Sequence, residues 1–268
     1  MLRSQLPPCV LTIAGSDSAA AAGIQADLKT FSAYGVHGLT AIAAVTAQNT
    51  HSTSAIQVLP PRILLAQLEA LRNDFRIAAV KIGMLGSAAN IRLTAQWLRE
   101  HQMPNVVLDP VLVASSGRNL LPANALSILR RHLLPLAQVL TPNLPEAAAL
   151  LSRPIRTHDE MQSAASELRD LGADTVLIKG GHLDARGVRD YFVDNRGVVE
   201  YAHQRRSYAV RGTGCSLSSA IAAGLALGLS ARAAVERAER YLQNTFRNAR
   251  RIGRGPSRIL QHNAPHGD

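Results

Sequence analysis

The sequence predicts an α/β fold with a mainly parallel central sheet and helices on both faces. Three observations carry this. Short β-type runs alternate with helical patterns along the chain, and repeated βα units imply parallel pairing. Of 268 residues, 47% are apolar, ample for a large buried core. No linker or low-complexity segment interrupts the alternation, so residues 1–268 read as one domain with a basic C-terminal helix and tail from about 230.

The first strand is expected at 10–14. A helix follows, because Ile24, Leu28 and Phe31 recur at helical spacing and Gly35 closes the segment as a C-cap. Further strands are expected at 39–45, 79–82, 106–108, 139–141 and 175–179, with helices at 60–71, 88–100 and 123–134 between them. Thr157 and Glu160 make a capping box for a helix ending near Gly172. A hairpin pairs 191–193 with 198–201 across Asp194-Asn195-Arg196-Gly197. The small-residue run after Gly214 reads as a helix packed closely on the sheet.

Composition excludes several classes. Aromatics are 4%, so the core must be aliphatic and Ala-rich. The longest apolar run, 220–229, is about half of what spans a bilayer. Residues 1–14 lack a secretory pattern, and two distant cysteines, Cys9 and Cys215, give no disulfide scaffold. A cytoplasmic protein without membrane contact is expected. The net charge of +10 is concentrated late: from Arg205 onward eleven Arg face only Glu236, Glu239 and Asp268. The Arg from 232 to 251 are spread along a helix without interleaved aromatics, which reads as a solvated face and not as a nucleic-acid footprint. Arg outnumbers Lys 26 to 3, which singles out Lys29, Lys81 and Lys179.

Ligands of such sheets sit at the carboxyl ends of the strands. Gly15-Ser16-Asp17, Gln48-Asn49, Lys81-Ile82-Gly83-Met84, Asp109-Pro110-Val111, Thr141-Pro142-Asn143-Leu144-Pro145-Glu146 and Lys179-Gly180-Gly181-His182 all fall there. Any one of these is a fair turn former or helix cap. Together they converge on one rim with Arg211-Gly212-Thr213-Gly214-Cys215-Ser216, where a glycine turn opens a helix and offers N–H groups to an anion. The helix dipole would favour a thiolate at Cys215. Asp109, Glu146 and a Lys beside that helix end compose a phosphate-and-magnesium site. Neither Walker A nor GxGxxG occurs, which removes P-loop and NAD-type Rossmann readings.

These residues resemble the ribokinase-like superfamily, and within it the hydroxymethylpyrimidine/phosphomethylpyrimidine kinases of thiamin biosynthesis. The resemblance covers about residues 10–250. It rests on Thr12-Ile-Ala-Gly-Ser-Asp17, Ala22-Gly-Ile-Gln-Ala-Asp-Leu-Lys-Thr-Phe31, Thr46-Ala-Gln-Asn-Thr50, Lys81-Ile-Gly-Met-Leu85, Leu108-Asp-Pro-Val111, Thr141-Pro-Asn-Leu-Pro-Glu146, Lys179-Gly-Gly-His182 and Gly212-Thr-Gly-Cys215. It implies a three-layer fold, ATP and Mg²⁺ as cofactors, a homodimer, and two phosphorylations in one pocket. In the first, ATP phosphorylates the hydroxymethyl group of the pyrimidine; in the second, the monophosphate becomes the diphosphate.

Residue by residue, the resemblance gives Gln48 the pyrimidine edge, with Gly15, Asp27, Met84 and Val111 as the remaining pocket wall. It gives Asp109 and Glu146 the metal, with Asn143 beside them at the phosphates, and it puts Lys179 near the nucleotide phosphates. The N–H groups of Gly212, Thr213, Gly214 and Cys215 become an anion hole, with Cys215 a member of that hole first and a base second. The chain departs from the family pattern in three places. Ser18-Ala19-Ala20-Ala21 replaces a Pro-Ser-Gly-Gly, which should stiffen and reshape the loop beside the substrate. Arg211 stands for the usual His, and Ser115 for a common Lys that Arg211 would replace near phosphate. Two rivals remain: a pyridoxal/pyridoxine kinase of the same superfamily, and a catalytically degenerate pyrimidine-binding protein.

Overall fold

The structure is a computed structural model that describes residues 6–113, 119–181, 183 and 187–262, without the side chain of residue 123. Ser115 and His182 lie outside the described residues.

Nine strands form one sheet: β1 (Cys9–Asp17), β2 (His37–Gln48), β3 (Thr53–Val58), β4 (Ile77–Ile82), β5 (Val106–Leu108), β6 (Val139–Leu140), β7 (Thr175–Ile178), β8 (Gly187–Asp194) and β9 (Gly197–Gln204). Their spatial order is β3-β2-β1-β4-β5-β6-β7-β8-β9. From β2 to β7 every pairing is parallel, while β3, β8 and β9 are antiparallel additions at the two edges. The chain builds outward from β1 to β2 and then returns to the other side of β1 to lay down β4. The crevice of an open α/β sheet opens at such a reversal.

Period-2 alternation explains how each buried strand serves two cores. Leu11, Ile13, Val106, Leu108, Val176 and Ile178 face one layer, while Val10, Val107, Val139 and Leu177 face the other. The first layer contains α2 (Pro61–Asp74), α3 (Ala88–Glu100), α4 (Ala123–His132), α5 (Leu144–Leu151) and α6 (His158–Asp170). The second contains α1 (Gly23–Ala33), α7 (Thr213–Ala226) and α8 (Ala231–Arg247). Helix α7 is buried on all sides from Ser216 to Leu225, and Ala234 of α8 packs against Gly224. The core is aliphatic and Ala-rich as composition requires, with Trp97, Tyr191, Phe31 and Phe192 as its few large rings.

Several elements differ from expectation. β1 and β2 run on to Asp17 and Gln48, so these residues are strand ends and not loop residues. β8 and β9 extend well beyond the hairpin core, closing on Asp194 and Gly197. Four elements are absent from the sequence-based expectation. Strand β3 is a short mixed run at an edge. Helix α5 is only eight residues long. A separate two-stranded sheet joins β10 (Val210–Arg211) to β11 (Arg258–Ile259) over two residues each. The capping box at Thr157 forms in half: Thr157 Oγ1 accepts from Glu160 N at 3.2 Å, but the Glu160 carboxylate takes Arg156 N and not the cap N–H. Gly35 takes φ 71° as expected of a residue past a C-cap.

Candidate active site

A cavity of about 640 Å³ opens at the carboxyl ends of β1, β2, β4, β5, β6 and β7, against the N-terminus of α7. Gly15, Gln48, Met84, Val111, Asp109, Asn143, Glu146, Lys179, Gly212, Thr213, Gly214 and Cys215 all line it. The structure brings these sequence-predicted residues together from seven elements or their ends. Asp27 is the exception and does not line the wall.

The α7 end is built around a turn that only glycine allows. Gly212 adopts φ 79°, and a Cβ there would stand 1.8 Å from the Ala21 carbonyl oxygen. The first intrahelical bond runs from Ser216 N to Gly212 O at 2.9 Å, so the N–H groups of Thr213, Gly214 and Cys215 precede any helical acceptor. Gly214 lies close to the charged wall: a Cβ there would stand 3.1 Å from Lys179 Nζ and 3.6 Å from Asp109 Oδ2. Free N–H groups, the helix dipole and an ammonium thus converge on one point.

Lys179 Nζ donates to Asp109 Oδ1 at 3.0 Å. Burial lowers the Lys179 pKa, but the charges of Asp109 and Glu146 overcome it and the net shift is upward, so the ammonium persists. Asn143 and Glu146 form a complete capping box at α5, with Glu146 N donating to Asn143 Oδ1 at 3.0 Å and Asn143 N to Glu146 Oε2 at 2.8 Å. Burial, followed by repulsion from Asp109, pushes the Glu146 carboxyl up to about 7 against the pull of Lys179. Two buried carboxylates on one wall with a single ammonium between them fit a hydrated divalent cation, which commonly takes only one or two protein carboxylates.

Asp27 sits one layer deeper. It is fully buried, pairs with Lys81 Nζ at 3.0 Å through both carboxylate oxygens, and accepts from Thr12 Oγ1 and Ser219 Oγ at 2.7 Å each. It is a counter-ion and not a wall residue. Lys81 lines the cavity, although the sequence only singles it out and assigns it no role. The signal was present: Lys is rare in this chain, and this one interrupts an apolar strand on the side that faces α1 and α7. Burial lowers Lys81, yet Asp27, then Cys215 and Asp109, raise it further, so it too stays charged.

Cys215 departs from the expected thiolate. Burial dominates and pushes the thiol up to about 11 despite the lowering influence of Lys81, with Asp27 and Asp109 adding to the rise. The helix end is outweighed by desolvation and two acids.

At the far wall Thr53 Oγ1 donates to Gln48 Oε1 at 2.7 Å, fixing the amide and turning its NH₂ into the donor for a ligand. Ser18 holds the end of β2, donating to Gln48 O and accepting from Gln48 N at 2.7 and 2.8 Å. Asn49 is a turn former: its Oδ1 accepts from His51 N and Ser52 N. The alanine loop is closed by Asp17, whose carboxylate accepts from the N–H groups of Ala19, Ala21 and Ala22 at 2.9–3.1 Å. Only Ala20 takes a positive φ, 53°, and Lys29 Nζ clamps its carbonyl at 2.7 Å. Arg211 does not reach the cavity; it is buried and donates to Asn49 O. It therefore does not replace the family's phosphate-side Lys.

The basic C-terminal face is partly spent within the chain. Arg232 pairs with Asp194, Arg237 lies over the Tyr34 ring and Arg258 over Tyr208. Among the described residues no helix is long and apolar enough to cross a membrane.

Comparison with known proteins agrees with this geometry. The family model for phosphomethylpyrimidine kinase matches residues 17–259. A hydroxymethylpyrimidine/phosphomethylpyrimidine kinase of Haemophilus influenzae is 44% identical over 251 residues, covering 92% of this chain and 93% of that protein. A thiamine biosynthesis bifunctional protein of Geobacter sulfurreducens is 44% identical over 92% of this chain, which spans only 50% of that longer protein. Among solved structures, a phosphomethylpyrimidine kinase of Clostridium difficile superposes with TM-score 0.81 at 40% identity, covering 89% of this chain and 99% of that one. An ADP complex of Bacillus subtilis pyridoxal kinase superposes with TM-score 0.87 at 32% identity, covering 96% and 98%. The lining residues, the α7 anion site and the match over most of its length place this chain in the phosphomethylpyrimidine kinase family.

Proposed function

We propose that this cavity transfers the γ-phosphoryl group of ATP to 4-amino-5-hydroxymethyl-2-methylpyrimidine, and then phosphorylates the monophosphate to the diphosphate. The observation that carries the reading is the pairing, in one cavity, of an oriented Gln48 amide with the N-terminus of α7. Gln48 holds the ring edge through its NH₂, and Gly15, Met84 and Val111 flank the ring. The hydroxymethyl oxygen then attacks the γ-phosphorus, the bond to the ADP oxygen breaks, and the hydroxyl proton leaves to solvent or to phosphate. Gly212, Thr213, Gly214 and Cys215 donate N–H groups to the charge on the phosphoryl oxygens, and Lys179 neutralises more of it.

Asp109 and Glu146 are the residues that would hold Mg²⁺, with Asn143 beside the phosphates. The bound ion would supply charge neutralisation on the nucleotide phosphates. We further take the protein to act as a cytoplasmic homodimer. The exposed apolar side chains of Val45, Ile63 and Leu65 on β2 and α2 support the homodimer.

A pyridoxal kinase activity is the second reading, favoured by the high TM-score to a pyridoxal kinase, because pyridoxal also presents a flat ring with a hydroxymethyl arm. ADP release measured side by side with hydroxymethylpyrimidine, its monophosphate and pyridoxal separates the two. Turnover with both pyrimidines and little with pyridoxal is expected. No ADP from either pyrimidine overturns the reading.

A further inference from the structure

At the antiparallel edge of the sheet, three potential ligand side chains meet under α8. Asp190 on β8 and His203 on β9 point to the same side of the hairpin, and Glu239 descends from α8 onto them. His203 Nε2 lies 3.0 Å from Glu239 Oε2 and 3.9 Å from Asp190 Oδ2, and one donor atom from each of the three lies within 4.8 Å of the others. Asp190 is 6% exposed and Glu239 2%.

Two buried carboxyl groups face one imidazole in this cluster, so with both ionised even a protonated His203 leaves one negative charge uncompensated. Three cations of the same part of the sheet have partners outside the cluster. Arg232 is paired with Asp194, Lys179 with Asp109, and Arg205 donates to the carbonyls of Gly181 and Leu183. Glu239 Oε1 is buried with no hydrogen-bond partner among the described residues, a costly state for a carboxylate oxygen. A divalent cation resolves all of this at once: with His203 neutral, two carboxylates cancel its charge and the orphaned oxygen gains a partner.

We propose that Asp190, His203 and Glu239 form a divalent-cation site of the zinc class, its shell completed by water. One imidazole nitrogen and two carboxylate oxygens are donors that zinc accepts readily, and its bonds of about 2.0–2.2 Å need only small movements of the three side chains. The site is separate from the Asp109–Glu146 wall. Its other contact has structural meaning: Asp190 Oδ1 accepts from Gly180 N at 2.6 Å, directly after Lys179. A bound cation would tie α8 to the antiparallel edge and brace the segment that carries the phosphate-side lysine.

The test titrates Zn²⁺ into the full-length protein, stripped with EDTA, by calorimetry in millimolar Mg²⁺, and records melting temperature with and without Zn²⁺. One Zn²⁺ per chain is expected, with a rise in melting temperature. Loss of even an outer-shell partner weakens metal binding by about 10–100-fold, so Glu239→Gln and His203→Gln should each weaken it by at least about tenfold. Glu146→Gln should leave it unchanged. Failure of the wild-type protein to bind Zn²⁺ stoichiometrically would overturn the proposal without any variant having to fold. Equal binding by Glu239→Gln would do so too, since it would place the ion at Cys9, Cys215 or another site.

Discussion

At neutral pH the Cys215 side chain is a thiol, because burial and two nearby acids outweigh both Lys81 and the helix end. A protonated thiol cannot accept the hydroxymethyl proton, so in the proposed mechanism Cys215 serves through its backbone N–H. A working general base contributes about 10²–10⁴-fold. Cys215→Ala should therefore keep more than about a tenth of kcat in a steady-state assay, and a loss of about a thousandfold would reinstate the base. Asp27 makes an opposite prediction, on stability. Removing one member of a fully buried pair leaves the other charge stranded, at a cost of about 3–5 kcal/mol. Asp27→Ala should lose that much in chemical denaturation, and Asp27→Ala with Lys81→Met should regain a large share of it. Equal stability of the two variants would show that the ion pair is not what Asp27 is for. Lys81 and Asp27 also mark where residue types misled. Both stand out in sequence, but only the sheet's pleat decides which of them meets the cavity.

Among the elements, α5 shows how a short helix serves the site. Asn143 caps it and in the same bond pair aims Glu146, so Asn143→Ala should cost about 1 kcal/mol in stability and disturb the Glu146 wall as well. A thermal melt unchanged by this substitution would contradict the cap. The end of the chain makes a pH prediction. His262 lies buried against Tyr241 and Thr30 of α8 and α1, with Nδ1 2.9 Å from Tyr241 Oη. Burial, and then Lys29, push its pKa down from 6.5 to about 4. The unfolded chain therefore binds this proton first, and the contribution of neutral His262 is full above pH 6.5 and is lost as pH falls towards 4. The loss amounts to about 3 kcal/mol. A His262→Gln variant should show a flatter decline of stability between pH 6.5 and 4; an identical pH profile would contradict it. Neither α5 nor β3 was legible as an element, for physical reasons. An eight-residue helix has barely two turns of periodicity, and an edge strand held by one neighbour has no two-sided apolar run. The caps themselves were legible: Thr157, Gly35 and Gly212 all act at helix ends.

For the molecule as a whole, the parallel sheet and its two helical layers were readable because alternation and helical period are local signals. The antiparallel edges were only partly so: the hairpin had its turn residues, but its full length and its packing under α8 depend on distant partners. The rim followed from topology, since residues at the ends of β1, β2, β4, β5, β6 and β7 must meet where the strand order reverses. The rise of the Cys215 pKa and the retreat of Asp27 and Arg211 from the wall were not readable, as burial and charge are sums over the folded neighbourhood. The central claim is that one cavity holds a pyrimidine at Gln48 and phosphate at α7 and Lys179. Steady-state kinetics of Gln48→Ala and Lys179→Ala test it most directly. Losing a neutral hydrogen bond of about 1 kcal/mol, Gln48→Ala should raise KM for hydroxymethylpyrimidine by roughly five- to tenfold and leave KM for ATP unchanged. Losing a charged contact to the phosphates, Lys179→Ala should cut kcat by about 10²-fold or more. Hydroxymethylpyrimidine kinetics unaltered by Gln48→Ala, or full turnover by Lys179→Ala, would contradict it.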